Sequence, residues 1–239
     1  GVCVVSEEGT PQGGPLSPLL ANIMLNDLDW ELEKRGHRFA RYADDCNIYV
    51  RSRRAGERVM ASVRRFVEGK LKLKVNEEKS AVDTPGKRKF LGFSFIVDEN
   101  PRIRLAPKTK ERFKERVREI TSRSNGWSLA VRIARLNTYF RGWMGYYRIA
   151  QTSSVYRDLD RWIRRRLRMC LLKQWKKPKT VRRNLIALGV PDWQARRLSS
   201  SRRAYWRLAK TPQVNQALSL AYWRSQGLMS LMDLYAVTS

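Results

Sequence analysis

Two adjacent aspartates, Asp44 and Asp45, stand between two strand-forming runs, Phe39 to Tyr42 and Asn47 to Val50. This feature constrains the fold more than any other. Aromatic and β-branched residues on both sides favour extended chain, and the polar break between them favours a turn, so a hairpin with both carboxylates at its tip is expected. Two carboxylates so close repel each other, and a hard divalent cation removes that repulsion. Mg²⁺ prefers a few carboxylates together with substrate phosphate oxygens. Adjacent strand residues point to opposite faces, so Asp44 is expected to bridge the metal directly and Asp45 to be an outer or partial ligand. Taken alone, the pair also fits a solvated acidic turn.

The elements around the pair alternate. Val2 to Val5 reads as a short strand, and Gly9 to Pro15 as a loop dense in Gly and Pro. Ser17 and Pro18 are expected to be the N-cap and first residue of a helix reaching about Lys34. Leu20, Ile23, Met24 and Leu28 share one face of it, and Gly36 ends it. After the hairpin come a helix, about Ala55 to Lys70, and strands at Lys72 to Val75 and Phe90 to Ile96. The fold class is α+β. Beyond the turn-like stretch Asp98 to Pro101 the pattern becomes helical: Lys108 to Ser122, Leu129 to about Ile149, and Val155 to Trp175. The segment Lys176 to Lys179 opens a last region with short helices near 181–188, 192–198, 213–226 and 229–235.

Charge divides the chain the same way. Its 239 residues hold 49 Lys and Arg against 22 Asp and Glu, a net of +27. Residues 1–100 hold 17 basic and 15 acidic side chains, net +2; residues 101–239 hold 32 and 7, net +25. At 42% hydrophobic the chain is too apolar for a disordered basic tail. It has no apolar run of the ~20 residues a membrane span needs, and no signal-peptide pattern. A soluble protein with a polyanionic partner is expected, not a membrane-bound one. Cys3, Cys46 and Cys170 are scattered, which fits a reducing compartment, and with His37 they make a structural zinc site improbable. In the third long helix, Leu159, Ile163, Leu167, Cys170 and Leu171 form an apolar stripe, and Arg157, Arg161, Arg164, Arg165 and Arg168 a basic one. Such a stripe can follow a phosphate backbone, with binding that weakens steeply as salt rises. Lys110, Arg112, Lys176, Lys177 and Lys179 add to the expected nucleic-acid surface. Tyr146, Tyr147, Trp175, Tyr205 and Trp206 could stack on bases, although aromatics at helical spacing are usually core.

Four ordered motifs carry a family resemblance. Tyr42-Ala-Asp-Asp45 follows Pro11-Gln-Gly-Gly-Pro-Leu-Ser-Pro18, and Leu73 to Ser80 and Phe90-Leu-Gly-Phe93 come after it. The set resembles the reverse transcriptase palm, in which Tyr-X-Asp-Asp is the metal-binding hairpin. Gly9 to Ile23, Arg41 to Asn47, Gly142 to Tyr147 and Trp162 to Leu167 are similar to bacterial group II intron reverse transcriptases, or maturases. The resemblance implies the second half of a palm over 1–105, a helical thumb over 106–175, and a basic DNA- or RNA-binding region over 176–239.

It also implies a chemistry: nucleotidyl transfer with two Mg²⁺ ions. Asp44 and Asp45 would hold metal, and Lys79 would stabilise or protonate the pyrophosphate. Pro11, Gln12 and Gly13 would line the nascent base pair, and Leu91 and Gly92 would support the primer end. The implied partners are group II intron RNA, an RNA template with its DNA primer, target DNA and dNTPs, in the bacterial cytoplasm. The family's further catalytic aspartate lies upstream of Pro-Gln-Gly, and no sequence before Gly1 supplies it. The stretch is therefore expected to be the carboxy-terminal portion of a polymerase, inactive without its amino-terminal half. A non-catalytic splicing protein on the same scaffold is the alternative.

Overall fold

The computed structural model describes residues 15–236. The expected strand at Val2 to Val5, together with Pro11, Gln12 and Gly13, lies outside them. The chain divides into two compact units, Gly1–Phe90 and Leu91–Ser239.

In the described part of the first unit the order is α1 (Ser17–Lys34), β1 (Arg38–Tyr42), β2 (Asp45–Tyr49) and α2 (Arg53–Gly69). The strands form an antiparallel hairpin, with Phe39 opposite Ile48, Arg41 opposite Cys46 and Tyr42 opposite Asp45. Gly36 at φ +69 closes α1 as expected, its N–H bonded to the Glu33 carbonyl at 2.8 Å. The start of α1 differs from expectation. Leu16 has helical dihedrals and its carbonyl already accepts from the Leu20 N–H, so Leu16 is the cap residue and Ser17 lies inside the helix. The cap of α2 is a true one: extended Ser52, whose hydroxyl accepts from the Ala55 N–H at 3.2 Å.

Leu28, Leu32 and Val67 make the small core, with Phe39, Cys46, Ile48, Val63 and Phe66 packed on it. Of the face expected on α1 only Leu28 is buried; Leu20, Ile23 and Met24 are exposed. The strand expected at Lys72 to Val75 does not form. Leu71, Leu73 and Val75 alternate inward against the core, but no strand pairs with them. Alternation reports burial on one side, and a ladder also requires a neighbour.

The second unit begins with β3 (Phe93–Ile96) and β4 (Arg102–Leu105), an antiparallel pair. The expected strand from Phe90 is shortened by two consecutive left-handed residues, Leu91 at φ +51 and Gly92 at φ +82. Helices follow: α3 (Pro107–Ile120), α4 (Leu129–Tyr147), α5 (Ser153–Trp175), α6 (Pro178–Ala187), α7 (Asp192–Ser199), α8 (Tyr205–Leu208), α9 (Pro212–Ala217), α10 (Leu220–Ser225) and α11 (Leu231–Ala236). The helix expected over 213–226 breaks at Leu218, and Ser219 caps the new one through its hydroxyl.

Phe113 sits at the centre of a ring cluster with Tyr139, Phe140 and Trp143. The same core runs on through Tyr156, Leu167, Leu185, Leu218 and Leu231. Residues 176–236 therefore share one core with the long helices, and β3 and β4 belong with the helices too. The compact units divide at Phe90. Arg132 is buried at the corner after α3, where it donates to the carbonyls of Ile120, Ser122 and Trp127. It satisfies the carbonyls that a helix end leaves open. Among the described residues no helix is long and apolar enough to cross a membrane.

Candidate functional site

The hairpin places the carboxylates through its register. Ala43 and Asp44 form the turn, and Asp45 is the first residue of β2, opposite Tyr42. Ala43 takes the left-handed conformation, φ +53, which costs a non-glycine residue roughly 1 kcal/mol. The Arg41 guanidinium braces this turn. Its Nη1 donates to the Ala43 carbonyl and to Asn22 Oδ1, both at 2.9 Å, and its Nε donates to Asp29 Oδ1 at 2.8 Å. Asn22 and Asp29 belong to α1, so one side chain fixes the turn to the helix. Hydrogen bonding to Asp29 raises the Arg41 pKa above its ordinary value.

Strand alternation then separates two faces. Phe39, Arg41, Cys46 and Ile48 face α1 and the core. Asp45 lies on the other face with Ala40, Tyr42 and Asn47, and Tyr42 and Tyr49 are exposed there. Asp44 and Asp45 are exposed, and among the described residues neither carboxylate is hydrogen-bonded or ion-paired. Arg41, their neighbour in sequence, is committed to Asp29. Two hard oxygen donors are thus left available, which suits Mg²⁺ as part of a site. Among the described residues no third acidic, His or Cys side chain joins them. Burial pushes the Cys46 thiol up to about 11, so it stays protonated and is no ligand for a hard ion.

The other expected residues of the chemistry are dispersed. Lys79 is exposed in a turn that Asn76 closes, its N–H donating to Asn76 Oδ1 at 3.1 Å while its carbonyl accepts from Arg88. Gly92 is held on both sides: its carbonyl accepts from Thr109 Oγ1 at 2.7 Å and from the Ala106 N–H at 3.1 Å. A Cβ there would lie 2.8 Å from the Tyr147 hydroxyl, so glycine is demanded by space as well as by φ. The Leu91 carbonyl accepts from the Tyr146 hydroxyl at 3.1 Å.

The basic stripe of α5 divides in two. Arg157 and Arg161 are exposed, and Arg161 pairs with Asp158 at 3.4 Å. Arg165 is half-buried, donates to the Trp206 carbonyl through Nε and Nη2, and stacks 3.8 Å over the Trp206 ring. Arg168 is buried and departs from the expected solvent-facing stripe. Its Nε and Nη2 donate to the Leu218 carbonyl at 3.1 and 3.0 Å, the group freed by the break between α9 and α10. Burial, with Arg164 nearby, lowers its pKa to about 10. Lys110 is half-buried; Arg112, Lys176, Lys177 and Lys179 are exposed. Tyr147 packs on Phe93 and Trp143, and Trp206 lies under Arg165, so these rings are structural. Sequence reasoning missed Lys210, which lines the same recess as Arg161 and Arg164. Only the excess of basic residues pointed to it, because α8 and its neighbours have no long periodic pattern.

Comparison with known families agrees with this geometry. Residues 4–95 match the reverse transcriptase (RNA-dependent DNA polymerase) family, and residues 110–188 match the maturase-specific domain of group II introns. Protein YkfC of Escherichia coli (strain K12) is 30% identical to this chain over a stretch covering 34% of the chain and 30% of that protein. The chain thus carries a reverse transcriptase family segment with the Asp44–Asp45 hairpin, followed by a group II intron maturase-specific segment of long helices.

Proposed function

We propose that this protein serves RNA-directed DNA synthesis for a group II intron and binds the intron RNA to assist splicing and mobility. The observation that carries the proposal is a pair of carboxylates with no partner among the described residues, held at a turn that Arg41 braces. Asp44, with Asp45 beside it, would hold Mg²⁺. When bound, the metal would lower the pKa of a primer 3′-hydroxyl and take up charge on the triphosphate. The protein's part is to position: the braced turn fixes where the carboxylates stand, and the open face beyond Tyr42 and Asn47 leaves room for substrate. Lys79 is assigned to the leaving pyrophosphate, Pro11, Gln12 and Gly13 to the nascent base pair, and Leu91 and Gly92 to the primer end. The exposed basic residues of α3 and α5, with Lys176, Lys177 and Lys179, are assigned to the nucleic-acid backbone. The division into palm, thumb and basic region at 105 and 175 is part of this reading.

The test is primer extension on an RNA template by protein that carries a complete palm. Asp44→Ala is expected to lower the rate on the order of a thousand-fold, the size of losing several kcal/mol of metal-borne stabilisation. Extension that survives the substitution would sink the catalytic assignment. The second reading, a non-catalytic splicing protein on the same scaffold, would be favoured by loss of the acidic pair, and Asp44 and Asp45 are both present. Under that reading, unsubstituted protein promotes splicing of the intron but extends no primer.

A further inference from the structure

In the second unit, α5 and the segment around 209–215 enclose a recess of about 490 Å³. Arg161, Arg164, Arg165, Arg168 and Lys210 line it, and Asp158 is the one carboxylate among its lining residues. That carboxylate is paired with Arg161. Arg165 and Arg168 each spend Nε and Nη2 on a backbone carbonyl, which leaves Nη1 of both unspent. Arg164 is half-buried and makes no hydrogen bond or close ion pair among the described residues. Its natural partner would be Asp160, one turn earlier. Both oxygens of Asp160 are already occupied: Oδ1 accepts from the Leu231 N–H, and Oδ2 from the Met232 N–H and the Ser230 hydroxyl. Burial lowers the Arg164 pKa below its ordinary value; the charge of Asp160 opposes this, and those of Arg161 and Arg224 add to it.

Three guanidinium groups are thus gathered at one recess, and the nearby carboxylates, Asp158 and Asp160, have their oxygens engaged elsewhere. Like charges brought together repel, which an added anion relieves. A tetrahedral oxyanion with several acceptor atoms can take donors from all three at once. Trp162, the one ring among the lining residues, has the Arg118 and Arg166 guanidinium groups over it. Trp206 is covered by Arg165, and the Asn215 amide donates to the Lys210 carbonyl. We propose that this recess is a phosphate-binding site: Arg164, the free edges of Arg165 and Arg168, and Lys210 hold one phosphodiester of a bound nucleic acid, without reading its sequence. The inference rests on the nucleic-acid-binding reading above and adds a particular anchoring point to it.

Binding of the full chain to a labelled RNA duplex, measured across salt concentrations, tests the anchor. Arg164→Gln is expected to reduce the slope of log affinity against log salt by about one, and equally for unrelated RNA sequences. Lys210→Gln should lower affinity in the same direction. Arg183→Gln, an exposed site outside the recess, controls for general loss of charge and should change binding less than Arg164→Gln. Because the Arg164 side chain makes no hydrogen bond among the described residues, Arg164→Gln should melt within a few degrees of the original. Inorganic phosphate, compared with chloride at equal ionic strength, should raise the melting temperature of the original protein and not that of Arg164→Gln. Steep salt dependence left unchanged by both recess variants overturns the site and spares general nucleic-acid binding. Phosphate stabilisation without any RNA binding overturns the nucleic-acid assignment and marks a site for a free phosphate. An equal phosphate shift in Arg164→Gln rejects the recess altogether.

Discussion

The two compact units bury apolar surface on different scales. Among the described residues the first has three buried apolar side chains, Leu28, Leu32 and Val67, and leaves Leu19, Leu20, Ile23 and Met24 of α1 exposed. The second surrounds Phe113, Phe140, Tyr156 and Trp223 with an extensive core drawn from the strands and helices after residue 90. Most of the net charge lies in the second, which holds it on the outside of that core. Self-repulsion opposes compaction, so a large excess of one sign needs a large apolar counterweight. The first unit has little net charge to contain. It holds two unneutralised carboxylates at a turn.

Substitutions can break or sharpen this contrast. Phe113→Ala removes the ring at the centre of the aromatic cluster and is expected to cost about 3–5 kcal/mol, read by thermal or urea denaturation. Arg132→Met leaves the Ile120, Ser122 and Trp127 carbonyls unanswered and should cost roughly 3 kcal/mol in the same measurement. Leu32→Ala empties one of the few buried positions of the first unit, for a loss of about 2 kcal/mol. Hydrogen exchange should then speed up in β1 and β2 while α3 to α5 keep their protection. If both units accelerate together, they are not energetically independent.

The smallest effect concerns Asp160, whose carboxyl burial raises above its ordinary value of 3.8 despite its hydrogen bonds. A carboxyl raised in the folded state contributes stability that is fully present below the unfolded value. That contribution is lost as pH rises through the folded value. The melting temperature of the original protein relative to Asp160→Asn should therefore be most favourable near pH 3.8 and decline above it. A rising difference would contradict the burial described for Asp160.

Much of this was legible in the sequence, for reasons that can be named. The three long helices and the hairpin came from local periodicity, and each lies within a few residues of its expected place. The Asp44–Asp45 turn was legible because strand-forming residues flank it on both sides. What local pattern could not show was the partner across the chain. The spacing of Arg168 matches that of Arg161, yet a carbonyl fifty residues later draws one inward and leaves the other in water. The Leu71–Val75 alternation looks like a strand until a neighbour is sought. Arg41 and Arg132 read as ordinary surface cations, since nothing nearby in sequence announces Asp29 or the end of α3 as their destination.

The bond from Arg41 to the Ala43 carbonyl has a mechanical consequence. Asn22 and Asp29 grip the same guanidinium from two turns of α1, so the helix and the carboxylate turn form one rigid bracket. A shift of α1 along its axis would carry Asn22, Asp29, Arg41 and Ala43 with it, and Asp44 is the next residue. The helix and the carboxylates are therefore coupled through side-chain hydrogen bonds as well as through the backbone between them.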